Sequence, residues 1–478
     1  MLQSHKIKKK VGEVNMQGLT AVNQQHTTAR YWAIIVTAGV GFFLSTLDTG
    51  IMNVALPTLG QTFHINVNVV AWTVTLYLLS LSSTIIVFGR ISDRVGRMKV
   101  YSMGLAVFAI ASILCGSALS VPQLILFRGL QGIGAAMLQA TSAAIITTCI
   151  PKERQGAALG TLGMILGLGN VLGPSAGGLL LSFVGWRWIF WINIPICAMG
   201  LWGCYRIIRV TKEEVSRVPL NLVGNFLLGI AIFSLLYGLS ADSLPGFPGM
   251  LPYCFFTLAL IGYIMWDTRV TNPIVPLSLF RSGAFVVPIL SQVVLGFATA
   301  IAFIVPAYYL EGVTHLMPWQ VGLVNLAAPL GLVMLSGLSG KLVGSYGIIP
   351  STLSGLGIMC IALFTLSTMQ LDWHSITFGA LLLFYGFGAG LFIPANLAAI
   401  MGSVGLELQG TIGSVQRMVH NIGLAVGTST AALMIRLNSN SGLLAFRELW
   451  ILAACTVLLA LLAMASLHLF HWYCSRKI

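Results

Sequence analysis

The chain alternates between long apolar stretches and short polar ones. Apolar runs fall at about 32–57, 69–88, 98–119, 122–146, 156–181, 186–208, 221–240, 250–266, 283–308, 321–343, 349–368, 374–400, 410–434 and 447–472. A spanning helix needs roughly 20 mostly apolar residues. The pattern therefore predicts an all-α integral membrane protein with fourteen transmembrane helices. Residues 1–30 are polar and Lys-rich and read as a flexible cytoplasmic tail. The apolar run that follows is too long for a cleavable signal.

Composition sharpens the picture. The chain is 57% hydrophobic and 8% charged, against about 25% charged residues in a soluble domain. Of its 25 Lys and Arg residues, twenty fall in the tail and in the loops on its side, including Arg90, Arg94, Arg97, Lys99, Lys152 and Arg154. Only Arg187, Arg436 and Arg447 fall in loops on the other side. This asymmetry puts both termini in the cytoplasm. It also accounts for the net charge of +13, so no nucleic-acid partner is implied. The eight cysteines are scattered without a CxxC. They read as small core residues, and His spacing offers no metal site.

A repeat lies within the pattern. Shifted by 254 positions, Gly132, Gly134 and Ala135 meet Gly386, Gly388 and Ala389. Likewise "ERQG" (153–156) meets "ELQG" (407–410), and Gly169 and Gly173 meet Gly423 and Gly427. The expected organisation is two parallel six-helix bundles, 31–208 and 283–472. An inserted pair, helices 7 and 8 with their loops (209–282), lies between them, and 473–478 forms a short tail. Parallel repeats of this kind are a transporter architecture with the substrate between the halves.

Four stretches carry candidate chemistry. GRISDRVGRMKVY (89–101) follows helix 2. Gly89 and Gly96 permit a tight interhelical loop, and Asp93 stands among Arg90, Arg94 and Arg97, ready for charge-assisted bonds that lock one face. GNVLGPSAGG (169–178) places Gly169, Gly173, Gly177 and Gly178 for close backbone approach, with Pro174 favouring a kink. It suits either a rocking contact or plain tight packing. LDTGIMNVALP (47–57) puts Asp48 inside an apolar span, where a carboxylate is costly unless paired or wet. Arg128, in FRGLQGIGAA (127–136), and Arg417 are the two basic residues at depth.

As a set these stretches resemble the major facilitator superfamily, and within it the fourteen-helix drug–proton antiporters. GRISDRVG is similar to that superfamily's signature loop. FRGLQGIGAA and GNVLGPSAGG are similar to its helix-4 and antiporter motifs. LDTGIMNVALP and WRWIFWINIP (186–195) resemble the drug-antiporter motifs of helices 1 and 6. The sequence departs from those patterns at Gly50, Asn221 and Gly344, where a Thr and two acids are common.

The resemblance implies a proton-coupled secondary transporter of the inner membrane, not an enzyme, that exports amphiphilic drugs or toxic compounds by alternating access. The proton is the coupling ion and no cofactor is needed; no GxxxxGK[ST] loop is present to seat ATP. Beyond the small substrate and the bilayer, no obligate protein partner is evident. Asp48 and Arg128 are expected to share one cavity-linked network that takes up and releases the proton, although Asp48 bracing helix 1 is the plainer alternative. His420, beside Arg417, is expected to hydrogen-bond to a neighbouring helix or to relay protons. Substrate candidates are Phe42, Asn53, Trp72, Gln139, Met164, Gln292, Phe297, Asn325 and Asn396. Rival readings are a dedicated exporter of one metabolite, such as a siderophore or toxin, and a lipid flippase.

Overall fold

In the computed structural model, helix is the dominant element. Residues 2–65, 67–208, 221–240, 249–270, 273–274, 276–312, 316, 318–370, 373–405, 408–437 and 443–475 are described. No side chain is described before Arg30 or after Leu469, nor those of Asn53, Ser175, Glu311 and a few others. In chain order the helices are α1 (Leu2–Phe63), α2 (Val67–Val70), α3 (Trp72–Val95), α4 (Arg97–Gly116), α5 (Val121–Cys149), α6 (Lys152–Phe183), α7 (Trp188–Trp191), α8 (Asn193–Ile208), α9 (Leu222–Ser240), α10 (Leu251–Asp267), α11 (Gly283–Gly312), α12 (Pro318–Asn325), α13 (Ala327–Tyr346), α14 (Ile348–Ser367), α15 (Ser375–Gly402), α16 (Gln409–Leu437) and α17 (Leu444–Ser475). The assigned helix α1 runs back through the polar 1–30 segment, whose expected flexibility falls on side chains outside those described. The 473–478 tail likewise lies at or beyond the end of α17.

Among the described residues, twelve stretches are long and apolar enough to cross a membrane, from Arg30–Met52 to Leu444–Leu469. The other two of the fourteen expected helices are shorter, with apolar stretches Val223–Leu239 and Leu251–Asp267. At 1.5 Å per residue each covers about 26 Å, the lower end of what a hydrocarbon core of about 30 Å requires.

The spans pack as two groups. In the first, α1 lies on α5, α6 and α8, and α5 on α3 and α4, with α8 also against α4. In the second, α11 lies on α15, α16 and α17, and α15 on α13 and α14, with α17 also against α14. Between helices in lipid there is little hydrophobic drive, so close van der Waals contact of small residues matters. Gly50 of α1 meets Gly173 of α6, where a Cβ on Gly50 would lie 3.0 Å from the Gly173 Cα. The shorter helices α9 and α10 pack on each other, and α9 also touches α3 and α16, one from each group. Ser429 donates to the Leu239 carbonyl at 2.7 Å. Asp267 closes the pair by accepting from Asn221, Tyr263 and the Ile274 amide at 3.0–3.1 Å.

The 89–101 stretch is mostly helix. Residues 89–95 form the last two turns of α3, and Gly96 alone, at φ 114°, reverses the chain into α4. Only glycine enters that region cheaply. Gly89 serves a different purpose from the expected turn: it presses against Gly410 and Ser414 of α16.

Candidate functional site

Asp48 lies in α1 and Arg128 in α5. Arg128 Nη1 donates directly to Asp48 Oδ2. Asp48 Oδ1 accepts from Gln131 at 3.0 Å and from Asn193 of α8 at 3.2 Å. Gln131 also donates to Ser112 of α4, and Arg128 Nε to the Thr73 carbonyl at the start of α3. The guanidinium stands 4.2 Å above the Tyr77 ring. Five helices thus join one network, of which α5 and α8 reach the α1 carboxylate directly. Asp48 is 2% exposed and Arg128 is fully buried, so the expected network forms, but inside the first group and closed to water in this arrangement. Charge balance explains this: with Arg128, Gln131 and Asn193 supplying donors, the carboxylate needs no water.

A second polar site joins the groups at the Gly96 end. Asp93 Oδ1 accepts from the Gly410 amide and Oδ2 from the Thr411 amide, each at 2.9 Å, and Thr411 Oγ1 donates at 2.8 Å. A carboxylate here meets the free N–H groups and positive dipole end of α16. Of the three arginines expected around it, Arg97 makes the ion pair, at 3.0 Å. Arg94 is exposed and Arg90 is buried nearby. Thr147 bonds Gln409 at 2.9 Å and Ser336 bonds the Gly160 carbonyl at 2.9 Å, again from group to group. One apolar cluster, from Ile34 and Phe42 to Ile400, Ile412 and Val415, crosses the same seam.

Further along the seam, Arg417 Nε donates to Gln139 Oε1 at 3.2 Å, and its guanidinium carbon lies 4.8 Å from the Phe42 ring centre. In the second group Asn396 donates to Gln292 at 3.0 Å and to the Pro288 carbonyl at 3.1 Å, and Gln292 lies 3.4 Å from His420 Nδ1. His420 therefore has the neighbouring-helix contact expected of it. The remaining candidates stand apart. Trp72 packs on Tyr237 of α9, ring centres 5.7 Å apart. Met164 touches the Gly337 position of α13, Phe297 packs into the second group's core, and Asn325 is partly buried. Asn53 falls outside the described side chains. In α6, Gly169, Gly173 and Gly177 press on α1 whereas Gly178 faces open space, and α6 continues as one helix through Pro174. Among the described residues no cluster of His, Cys, Asp or Glu could hold a metal ion.

Residues 38–428 match the Major Facilitator Superfamily. The chain belongs to that superfamily. It is a multi-pass membrane transporter, not an enzyme. Relatives include the riboflavin transporter RibZ of Clostridioides difficile, 28% identical over 83% of this chain and 87% of that protein. The multidrug transporter MdtP of Bacillus subtilis is 29% identical over 84% of this chain and 74% of its own. The methylenomycin A resistance protein of Bacillus subtilis is 27% identical over 87% and 90%. Among solved folds, the proton:xylose symporter XylE has a TM-score of 0.66 at 15% identity, covering 92% of this chain and 96% of that one. A bacterial homologue of the iron transporter ferroportin, outward-facing, gives 0.67 at 15%, over 91% and 99%.

Tyr77, Ser112, Asn193 and Thr411 belong to these sites and were not singled out by sequence. Asn193 carried a signal, lying inside WRWIFWINIP. Tyr77 and Ser112 carried none, because one ring or hydroxyl in an apolar helix looks like any other.

Proposed function

We propose that this transporter is a proton-coupled antiporter that exports amphiphilic compounds by alternating access. The single observation that carries the reading is the Asp93 carboxylate of the first group seated on the α16 terminus of the second. A few polar bonds at one end are a closure that can open while each group stays intact. Two parallel six-helix repeats, with α9 and α10 as an inserted pair making fourteen helices, support it. The helix contacts of the second group repeat those of the first, α11 standing for α1 and α16 for α6. Gly169 and Gly173 meet the Phe43 and Leu47 carbonyls, as Gly423 and Gly427 meet those of Val293 and Phe297. The basic loops, including Arg94 and Lys152, gather at the Gly96 end. That favours a cytoplasmic placement of both termini and an arrangement closed on the cytoplasmic side.

Asp48 is the proton site in this reading. Neutralising it would release Arg128, Gln131 and Asn193 together and so loosen α1, α5 and α8. Sealed as it is here, it would exchange its proton in another arrangement of the helices. The kinship with multidrug and antibiotic-resistance proteins favours toxic amphiphiles as cargo. The kinship with RibZ favours a second reading, a transporter dedicated to one metabolite.

The test is dye efflux in everted vesicles with and without a pH gradient, for the native chain and Asp48→Asn. Gradient-driven efflux in the native chain, lost in the variant, is expected. Full gradient-driven efflux in Asp48→Asn removes the coupling role. A deletion strain sensitised to a single compound selects the dedicated transporter.

A further inference from the structure

Arg417 has no part in the network or the closure described above, and its setting is unusual. It lies six residues beyond Thr411 on α16, about 9 Å further from the closed end. The two ion pairs described elsewhere use Arg97 and Arg128. Among the described residues no carboxylate answers the Arg417 charge. An arginine at membrane depth without a counter-charge is costly. Arg128 shows the usual solution, full burial against Asp48.

The surroundings of Arg417 instead form three sides of a receptor. Phe42 covers one face of the guanidinium and Gln139 fixes Nε. The terminal amino groups have no hydrogen-bond partner among the described residues, and Arg417 keeps partial exposure at the seam. The buried Tyr77 hydroxyl lies nearby on α3. A planar fork with two open donors matches a carboxylate or related oxyanion, and its face already lies on an aromatic ring.

We propose that Arg417 anchors a negatively charged group of the transported compound. The cargo class is then amphiphiles that carry a carboxylate or similar oxyanion on an aromatic scaffold, with Phe42 supporting the flat apolar part. Compounds with a fixed positive charge are disfavoured by repulsion at the same spot. The inference rests on the transport reading above, because it takes the seam between the groups as the route.

The experiment uses a matched probe pair, dansylglycine and its uncharged methyl ester, titrated into the purified full chain in neutral detergent, with protein-free micelles subtracted. The native chain is expected to bind the carboxylate about tenfold more tightly than the ester. Arg417→Gln is expected to bind both at the ester's level, and Arg417→Lys to keep a clear preference. A clamp that only tied α5 to α16 would weaken both probes together. The proposal is overturned if the native chain shows no preference for the carboxylate, including no saturable binding of it, or if Arg417→Gln retains the preference. Should Arg417→Gln not yield folded protein, equal binding of the two probes by Arg417→Lys overturns it instead. No gradient is applied, so a failure of proton coupling and a failure of anion recognition are read separately.

Discussion

Asp48 and Arg128 illustrate how a membrane interior treats charge. Each alone would be an uncompensated ion in a low-dielectric core, and together they answer each other's charge and bond the side-chain amides of Gln131 and Asn193. Removing one partner is therefore worse than removing both. Arg128→Met is expected to destabilise the chain by about 3–5 kcal/mol, and adding Asp48→Asn should restore much of that loss. Apparent Tm in detergent, measured for the two single variants and the double, checks this; a double variant no better than Arg128→Met would show that the pair is not a unit. The motif pattern placed these two residues together correctly. It did not reveal that the carboxylate would be sealed, because burial depends on Asn193 and Ser112 arriving from other helices.

At the scale of the element, small residues decide which helices meet. The glycine stretch of α6 presents Gly169, Gly173 and Gly177 to α1 and leaves Gly178 in open space. Four neighbouring glycines that look alike in sequence thus differ in consequence. Gly173→Leu is expected to abolish efflux, since its side chain would enter the Gly50 and Leu47 backbone, while Gly178→Leu should transport normally. Efflux normalised to membrane expression distinguishes them, and equal loss in both variants would mean that α6 moves as a whole during transport. The shorter helices α9 and α10 gain a place as well: α9 lies against α3 and α16, one from each group. Their apolar sequence predicted helices but not which helices they would touch.

For the whole molecule the decisive contact is Asp93 on the α16 terminus. Losing its charge removes charge-assisted bonds to two amides and a hydroxyl, each worth about 1.5–3 kcal/mol. Asp93→Asn should shift the population toward the form open at the Gly96 end. Maleimide labelling of Thr147→Cys should then rise several-fold, whereas Arg94→Ala, an exposed side chain, should leave labelling unchanged. Labelling insensitive to Asp93→Asn would locate the closure in the apolar seam instead.

Hydrophobic periodicity determined the helical membrane class and most of the spans, and the motifs announced the family membership. These are local consequences of the cost of exposing backbone and charge to hydrocarbon, so they are written residue by residue. The Asp48–Arg128 pairing was readable too, through the family resemblance and not through charge alone, since Arg417 also lies at depth. What the tertiary structure decided are contacts between segments far apart in the chain. Asp93 finds its amides more than 300 residues away, Gly89 serves a helix contact and not a turn, and Arg417 emerges as a charge without a counter-charge among the described residues. Such facts depend on which helix faces settle together. That choice is made by packing summed over the whole bundle, and no single stretch of sequence contains it.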